Sequence, residues 1–270
     1  MFWLGLSVVP AGYTFWDAFW VFVALHLFIY PASNGFNSYY DRDEGPIGGL
    51  ASPPPVSPLL LRLSLWWNVP GLFIIMQFGW LPFALVSAYV LVSMAYSHTS
   101  IRLKGSLLAS SSIVPFFQGP VVVALVYASL AHGLGWVHSL AFPAVIAVFS
   151  FLLLLGSYPL TQVYQIEEDT KRGDKTLAAA LGVKGTIVWS AAFFGAAANV
   201  LSLYCIQNGF NAYFNIIIAG MALPTLYFGW WVYQIWRNPA AANHASAMTM
   251  NKVSGLSLSA ALAYYVVFLH

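Results

Sequence analysis

The sequence predicts an all-α fold, a polytopic membrane bundle of about nine transmembrane helices, and three observations predict it. Hydrophobic residues make up 60% of the 270 positions and charged residues 7%, against about 25% charged in a soluble domain. Apolar stretches of membrane-spanning length recur along the whole chain, separated by turn residues. The few charges are gathered into short clusters rather than spread over a surface. This composition excludes a soluble globular protein, a disordered chain and a nucleic-acid-binding domain, so the expected surroundings are a lipid bilayer and nucleic acid is not an expected partner. Cys205, the single cysteine, excludes a disulfide framework and a cysteine metal cluster.

The elements follow in order. Residues 2–12 are apolar but too short to cross a bilayer and read as a short first helix. No basic residue precedes them, so a cleaved signal peptide is not expected. Full spans of about 20 residues are expected near 15–36, 58–79, 80–97, 107–131, 138–160, 185–206, 212–236 and 253–269. Pro53-Pro54-Pro55, Phe78-Gly79, Gly133-Leu134-Gly135, Asn208-Gly209 and Asn238-Pro239 punctuate them. With no repeat and no polar tail, residues 1–270 read as one domain.

The charges then fix a topology. Asp41, Arg42, Asp43 and Glu44 form one cluster, Arg102 and Lys104 a second, and Glu167 through Lys175 a third. Counting residues 2–12 as the first helix, these clusters follow the second, fourth and sixth helices and therefore share one side. Arg237 and Lys252 join them, with Arg62 and Lys184 at adjoining helix ends, so all ten Lys and Arg lie on one face. The positive-inside rule makes that face cytoplasmic. The opposite loops, near 12–17, 78–81, 130–138 and 207–212, carry neither Lys nor Arg.

Of the eight acids, only Asp17 lies outside two short segments. Asn37 and Asp41 are four apart, as are Gln165 and Asp169. On a helix that spacing puts both oxygens on one face. Two helix ends thus offer carboxylate and amide oxygens at one depth. Such oxygens suit Mg²⁺, which binds through a few carboxylates plus substrate phosphates. Arg102, Lys104, Lys171, Arg172 and Lys175 supply the complementary charge for a diphosphate. Any one such cluster alone reads as a solvated turn; it is the matched pair flanking a basic loop that points to a site.

At these residues the chain resembles the UbiA superfamily of intramembrane prenyltransferases. The family's first motif, Asn-Asp-x-x-Asp-x-x-x-Asp, stands here as Asn37-Ser38-Tyr39-Tyr40-Asp41-Arg42-Asp43-Glu44-Gly45. The second, Asp-x-x-x-Asp followed by Arg-x-x-Gly-(Lys/Asp)-x-Thr-Leu, stands as Gln165 to Asp169 followed by Gly173-Asp174-Lys175-Thr176-Leu177. The family's basic loop, Tyr-Ser-x-x-Pro-x-(Arg/Lys)-Leu-Lys, corresponds to Tyr96-Ser97 and Arg102-Leu103-Lys104. The three motifs occur in family order. Ser38, Gly45 and Gln165 depart from the pattern, each standing where the family has an acid.

The resemblance implies Mg²⁺-dependent transfer of a prenyl group from a prenyl diphosphate to a hydrophobic or aromatic acceptor, such as a quinone precursor, in a bacterial inner membrane. It implies Asp41 and Asp169 as the catalytic, metal-binding acids. Asn37, Asp43, Glu44, Gln165 and Asp174 complete the expected metal set. Asn37, Arg102, Lys104, Arg172, Lys175, Tyr96 and Tyr164 are the expected substrate contacts. Tyr39, Tyr40 and Tyr158 lie at the level where aromatic faces stabilise an allylic cation. The alternatives are a divergent member with altered or lost catalysis, motivated by Ser38, Gly45 and Gln165, and a transporter. A transporter would place its charges near the midplane rather than at helix ends.

Overall fold

The computed structural model describes residues 1–42, 44–131 and 143–269. Asp43, His132, His138, His270 and the expected turn at Gly133-Leu134-Gly135 lie outside the described residues. Among the described residues ten helices make up the bundle: α1 Phe2–Leu6, α2 Phe15–Asp41, α3 Pro58–Met76, α4 Trp80–Ser97, α5 Leu107–Ala131, α6 Ala144–Ser157, α7 Ile166–Arg172, α8 Leu177–Asn208, α9 Asn211–Arg237 and α10 His244–Phe268.

Seven of these, among the described residues, are long and apolar enough to cross a membrane, against the nine expected. The difference lies at the two ends. The five residues of α1 rise about 7 Å at 1.5 Å per residue, and Phe2, Leu4 and Leu6 are buried within the bundle. The 25 residues of α10 are long enough, but its first turns, His244 to Lys252, are polar. The charged loops still share one end of the bundle, because they follow alternate long helices whether or not α1 crosses. Large apolar side chains stand outward along the helices, among them Trp16, Trp66, Phe73, Leu226 and Leu256. A water-soluble protein does not expose so many, and the chain is an integral, multi-pass membrane protein.

Local sequence explains the helix ends. Thr14 and Asp17 form a capping box at the start of α2, the Asp17 carboxylate accepting from the Thr14 amide at 2.8 Å. Asn243 and Ser246 do the same for α10. Gly209, with φ +72°, closes α8 in a left-handed turn that glycine adopts without strain.

The spans leading to the two acidic clusters, Phe15–Asp41 and Ala144–Thr161, each contain a proline, and each proline orphans a backbone carbonyl. Pro31 has no N–H for the Leu27 carbonyl, and α2 relaxes into a π-helical turn over Ala24–Ile29. The Trp67 indole of α3 donates to that carbonyl at 2.7 Å. Pro159 likewise leaves the Leu155 carbonyl without its helical partner, and the chain tightens into a 3-10 turn over Tyr158–Thr161. The Trp189 indole of α8 donates to Leu155 at 2.9 Å. Two tryptophans from neighbouring helices thus stitch the two proline breaks above the charged end. Trp189→Phe is expected to cost about 1–3 kcal/mol, the penalty for an unpaired buried carbonyl, read as a fall in unfolding temperature in detergent.

The break at Pro159 also corrects the expected continuation of this span into the third charge cluster. Gln165 and Asp169 lie on a separate short helix, α7, with Gln165 at its N-cap. Gly173, at φ +74°, ends α7 in a Schellman turn: Asp174 N–H donates to the Asp169 carbonyl at 2.9 Å and Gly173 N–H to Thr170 at 3.1 Å. That reversal brings Asp174 back beside Asp169.

Candidate functional site

The last turn of α2 carries Asn37 and Asp41 on one face, as their spacing requires. Asn37 accepts a hydrogen bond from the Ser97 hydroxyl at the end of α4. Arg102 adopts a left-handed conformation, φ +41°, at a cost of about 1–2 kcal/mol for a residue with a side chain. It turns the chain after α4 back so that Lys104, in the 3-10 turn Leu103–Gly105, points inward. Lys104 is 7% exposed. Its ammonium pairs with Asp41 and lies 3.4 Å from the Asp174 carboxylate. Arg102 stands behind Asp174 and donates to its Oδ1 from Nε at 3.1 Å and from Nη2 at 2.7 Å.

Arg172 joins α7 to α2. Its Nη1 donates to the Asp41 backbone carbonyl at 2.9 Å, and its Nη2 pairs with Glu168 at 3.0 Å. Asn37, Asp41, Lys104, Asp169, Arg172 and Asp174 all line one cavity of about 540 Å³, large enough for a small-molecule substrate. Tyr96, Tyr158, Tyr164 and Gln165 line it too.

Asp169 differs from its neighbours. Asp41 and Asp174 are ion-paired, whereas Asp169 is held by a neutral donor, the Thr176 hydroxyl at 3.0 Å. Burial pushes its carboxyl up from 3.8 to about 6, and the charge of Asp174 adds to the rise; Thr176, Arg172 and Lys104 oppose it. A carboxylate whose anion burial disfavours gains from a nearby positive charge.

The donor set tests the fit of a metal. Among the described residues no three His, Cys, Asp or Glu side chains converge closely enough to cage a metal by themselves. The lining offers hard oxygen donors: the Asp169 carboxylate first, then Asp41 and Asp174 beside Lys104, with the Asn37 and Gln165 amides alongside. One or two carboxylates, with the remaining positions left to water and substrate phosphate, is the way Mg²⁺ is held. The residues fit a Mg²⁺ that binds together with a phosphate ligand.

The other expected residues are dispersed. Lys175 is exposed, and its backbone carbonyl accepts from Ser110 at 2.6 Å. Its side chain is not on the cavity lining, nor are Glu44 and Arg102. Asp43 lies outside the described residues. Tyr39 packs edge-on against Tyr40.

Two of the departures from the acidic pattern act together. Gln165 Nε2 donates to the Pro46 carbonyl at 3.3 Å, and Glu168 accepts from the Glu44 amide at 3.3 Å. A Cβ on Gly45 would lie 2.9 Å from Glu168 Oε2. An amide and a glycine where acids were expected therefore hold segment 44–50 against α7. Gly45→Asp is expected to repel Glu168 and loosen this segment, read as several-fold faster cleavage there in limited proteolysis.

No role was read from the sequence for Thr176, Ser97, Asn34, Gln118 or Asn251, all of which line the cavity or hydrogen-bond a residue that does. Asn34 and Gln118 had a usable signal: each is an amide inside a predicted span, and polar side chains at membrane depth are functional by default.

Comparison with known proteins agrees with this architecture. The model of the UbiA prenyltransferase family matches residues 1–253. The apo structure of a UbiA homologue from Aeropyrum pernix K1 superposes with a TM-score of 0.68 at 17% identity, covering 97% of this chain and 96% of that one. A UbiA homologue from Archaeoglobus fulgidus, bound to DMAPP and Mg²⁺, gives 0.65 at 16% identity, covering 99% and 95%. A structure of digeranylgeranylglyceryl phosphate synthase gives 0.59 at 17% identity, covering 98% and 90%. At these identities the structural likeness bears on fold alone. No curated protein matches the chain.

Proposed function

The chain belongs to the UbiA prenyltransferase family, and from that membership we propose that it transfers a prenyl group from a prenyl diphosphate to an aromatic, quinone-precursor acceptor within the membrane. The observation that carries this reading is the single cavity in which Asp169, Asp41 and Asp174 face Lys104 and Arg172. Residues 1–270 act as one domain, with the charged end in the cytoplasm of a cell whose inner membrane holds the protein. The Archaeoglobus fulgidus homologue bound to DMAPP and Mg²⁺ supports the same ligands here.

Asp169 is the principal metal ligand, assisted by Asp41 and Asp174 and by the amides of Asn37 and Gln165. A Mg²⁺ held by these residues would neutralise phosphate charge, including the charge that grows on the leaving group. Lys104 and Arg172, standing among these acids, hold diphosphate oxygens and gain strength as the C1–O bond breaks and its electron pair departs on diphosphate. Lys175 and Arg102 act from outside, Arg102 by holding Asp174. Tyr96, Tyr158 and Tyr164 turn aromatic surface toward the allylic cation. The acceptor supplies the electron pair for the new bond and gives up one proton to the departing diphosphate.

Membranes carrying the protein should transfer radiolabelled prenyl groups from prenyl diphosphates to extracted quinone precursors with Mg²⁺ and lose that activity in EDTA. Full activity in Asp41→Ala or Asp169→Ala would overturn the site assignment.

A further inference from the structure

A second cavity, of about 200 Å³, opens off the charged chamber deeper in the bundle. The two share Asn34, Asn37, Tyr96, Gln118 and Tyr158 as a common wall. A dry cavity of about 150 Å³ accepts benzene, so this volume fits one substituted ring.

Its lining is unusual for a membrane interior. Ser33 and Ser93 share a hydrogen bond across it. Tyr89 and Gln118 line the same space beside them. Hydroxyls and amides surround the space, with Val92, Ile113, Val114 and Phe117 completing it. Among the described residues, Asp, Glu, Lys, Arg and His are all absent from this lining.

Two substrate parts compete for such a space. A prenyl tail has no hydrogen-bonding groups, and seating it here would strip these hydroxyls and amides of water without replacement. The larger chamber offers the tail a better wall at Ile47, Leu50, Leu154 and Met248. A ring bearing hydroxyl or carbonyl groups satisfies the smaller cavity. A ring bearing a carboxylate does not, because its charge would be buried without a counterion, at several kcal/mol.

Resting on the prenyl-transfer reading above, we infer that the deep cavity seats the acceptor ring and restricts it to uncharged phenols and quinols, excluding carboxylated and phosphorylated acceptors. Ser33, Tyr89, Ser93 and Gln118 determine that specificity by hydrogen bonding the ring's oxygens. The ring then lies beside Asn37 and Tyr96, at the wall it shares with the diphosphate chamber.

The test is a steady-state comparison of 1,4-dihydroxynaphthalene with 1,4-dihydroxy-2-naphthoate, using geranyl diphosphate and Mg²⁺. The neutral ring should have a kcat/KM at least about 30-fold higher, a discrimination of about 2 kcal/mol. Equal or faster transfer to the carboxylate, or transfer to neither, overturns the inference. Ser93→Leu, which fills the cavity, should raise the acceptor KM at least about tenfold with the donor KM unchanged; the conservative Tyr89→Phe should raise it several-fold. A change in donor KM or preferred chain length instead would make this the tail pocket and overturn the assignment. Failure of the wild-type protein to bind geranyl diphosphate with Mg²⁺ in a separate binding measurement would overturn the prenyl-transfer reading itself, and this inference with it.

Discussion

Asp169→Asn is expected to lower prenyl transfer by roughly 10²–10³-fold while making the metal-free protein more stable at pH 8. The two effects have one cause. With its carboxyl pushed up to about 6 from 3.8, the folded protein prefers Asp169 neutral. The stability it contributes is therefore present below about pH 4 and is lost as pH rises through about 6. At pH 8 the ionised group costs the fold of the order of 1–2 kcal/mol after solvent screening. Asparagine keeps an acceptor for the Thr176 hydroxyl but carries no charge, so that cost and its pH dependence disappear together. Unfolding temperatures in EDTA across pH 4–8 should fall for the wild type between about pH 4 and 6 and level off above that, and stay flatter throughout for the variant. A function–stability trade of this kind separates a poised ligand from a residue that merely packs.

Lys104→Met is expected to cost about 3–5 kcal/mol, because it removes the ammonium that neutralises a buried carboxylate pair. Asp41 and Asp174, with side chains 10% and 3% exposed, both lie against this ammonium, and Arg102 remains on Asp174. Methionine retains most of the packing, so the loss reports charge rather than volume. Adding Mg²⁺ in the millimolar range should recover part of it, since a divalent cation suits the space between two carboxylates; Na⁺ at equal ionic strength should not. Transfer activity should fall at least about a hundredfold, because the diphosphate loses a fixed cation.

The membrane character of the chain and most of its helix boundaries were legible from hydropathy and turn residues alone. The four-residue spacing of Asn37 and Asp41 was legible for the same reason, because α2 continues to the cluster. Gln165 and Asp169 share that spacing but belong to a different element. Pro159 ends the span before them, and a proline in an apolar run reads equally as a kink or a stop. The pairing of Lys104 with two acids 63 and 70 positions away was beyond a one-dimensional reading. It depends on the left-handed turn at Arg102, a residue that rarely adopts one. The orientation of Lys175 was equally hidden, since topology and ligand binding both ask for a basic residue at that end of the bundle. The smaller cavity escaped notice because its serines and tyrosines are common in membrane helices. Only their convergence from α2, α4 and α5 makes them a site.

The central claim is that Asp169 and its neighbours bind a prenyl diphosphate through Mg²⁺. Calorimetric titration of geranyl diphosphate into the purified protein tests it most directly, because it needs no knowledge of the acceptor. Binding should be strong with Mg²⁺, fall sharply in EDTA and be lost in Asp169→Ala even with Mg²⁺ present. Equal affinity with and without Mg²⁺, or undiminished binding by Asp169→Ala, would contradict the account.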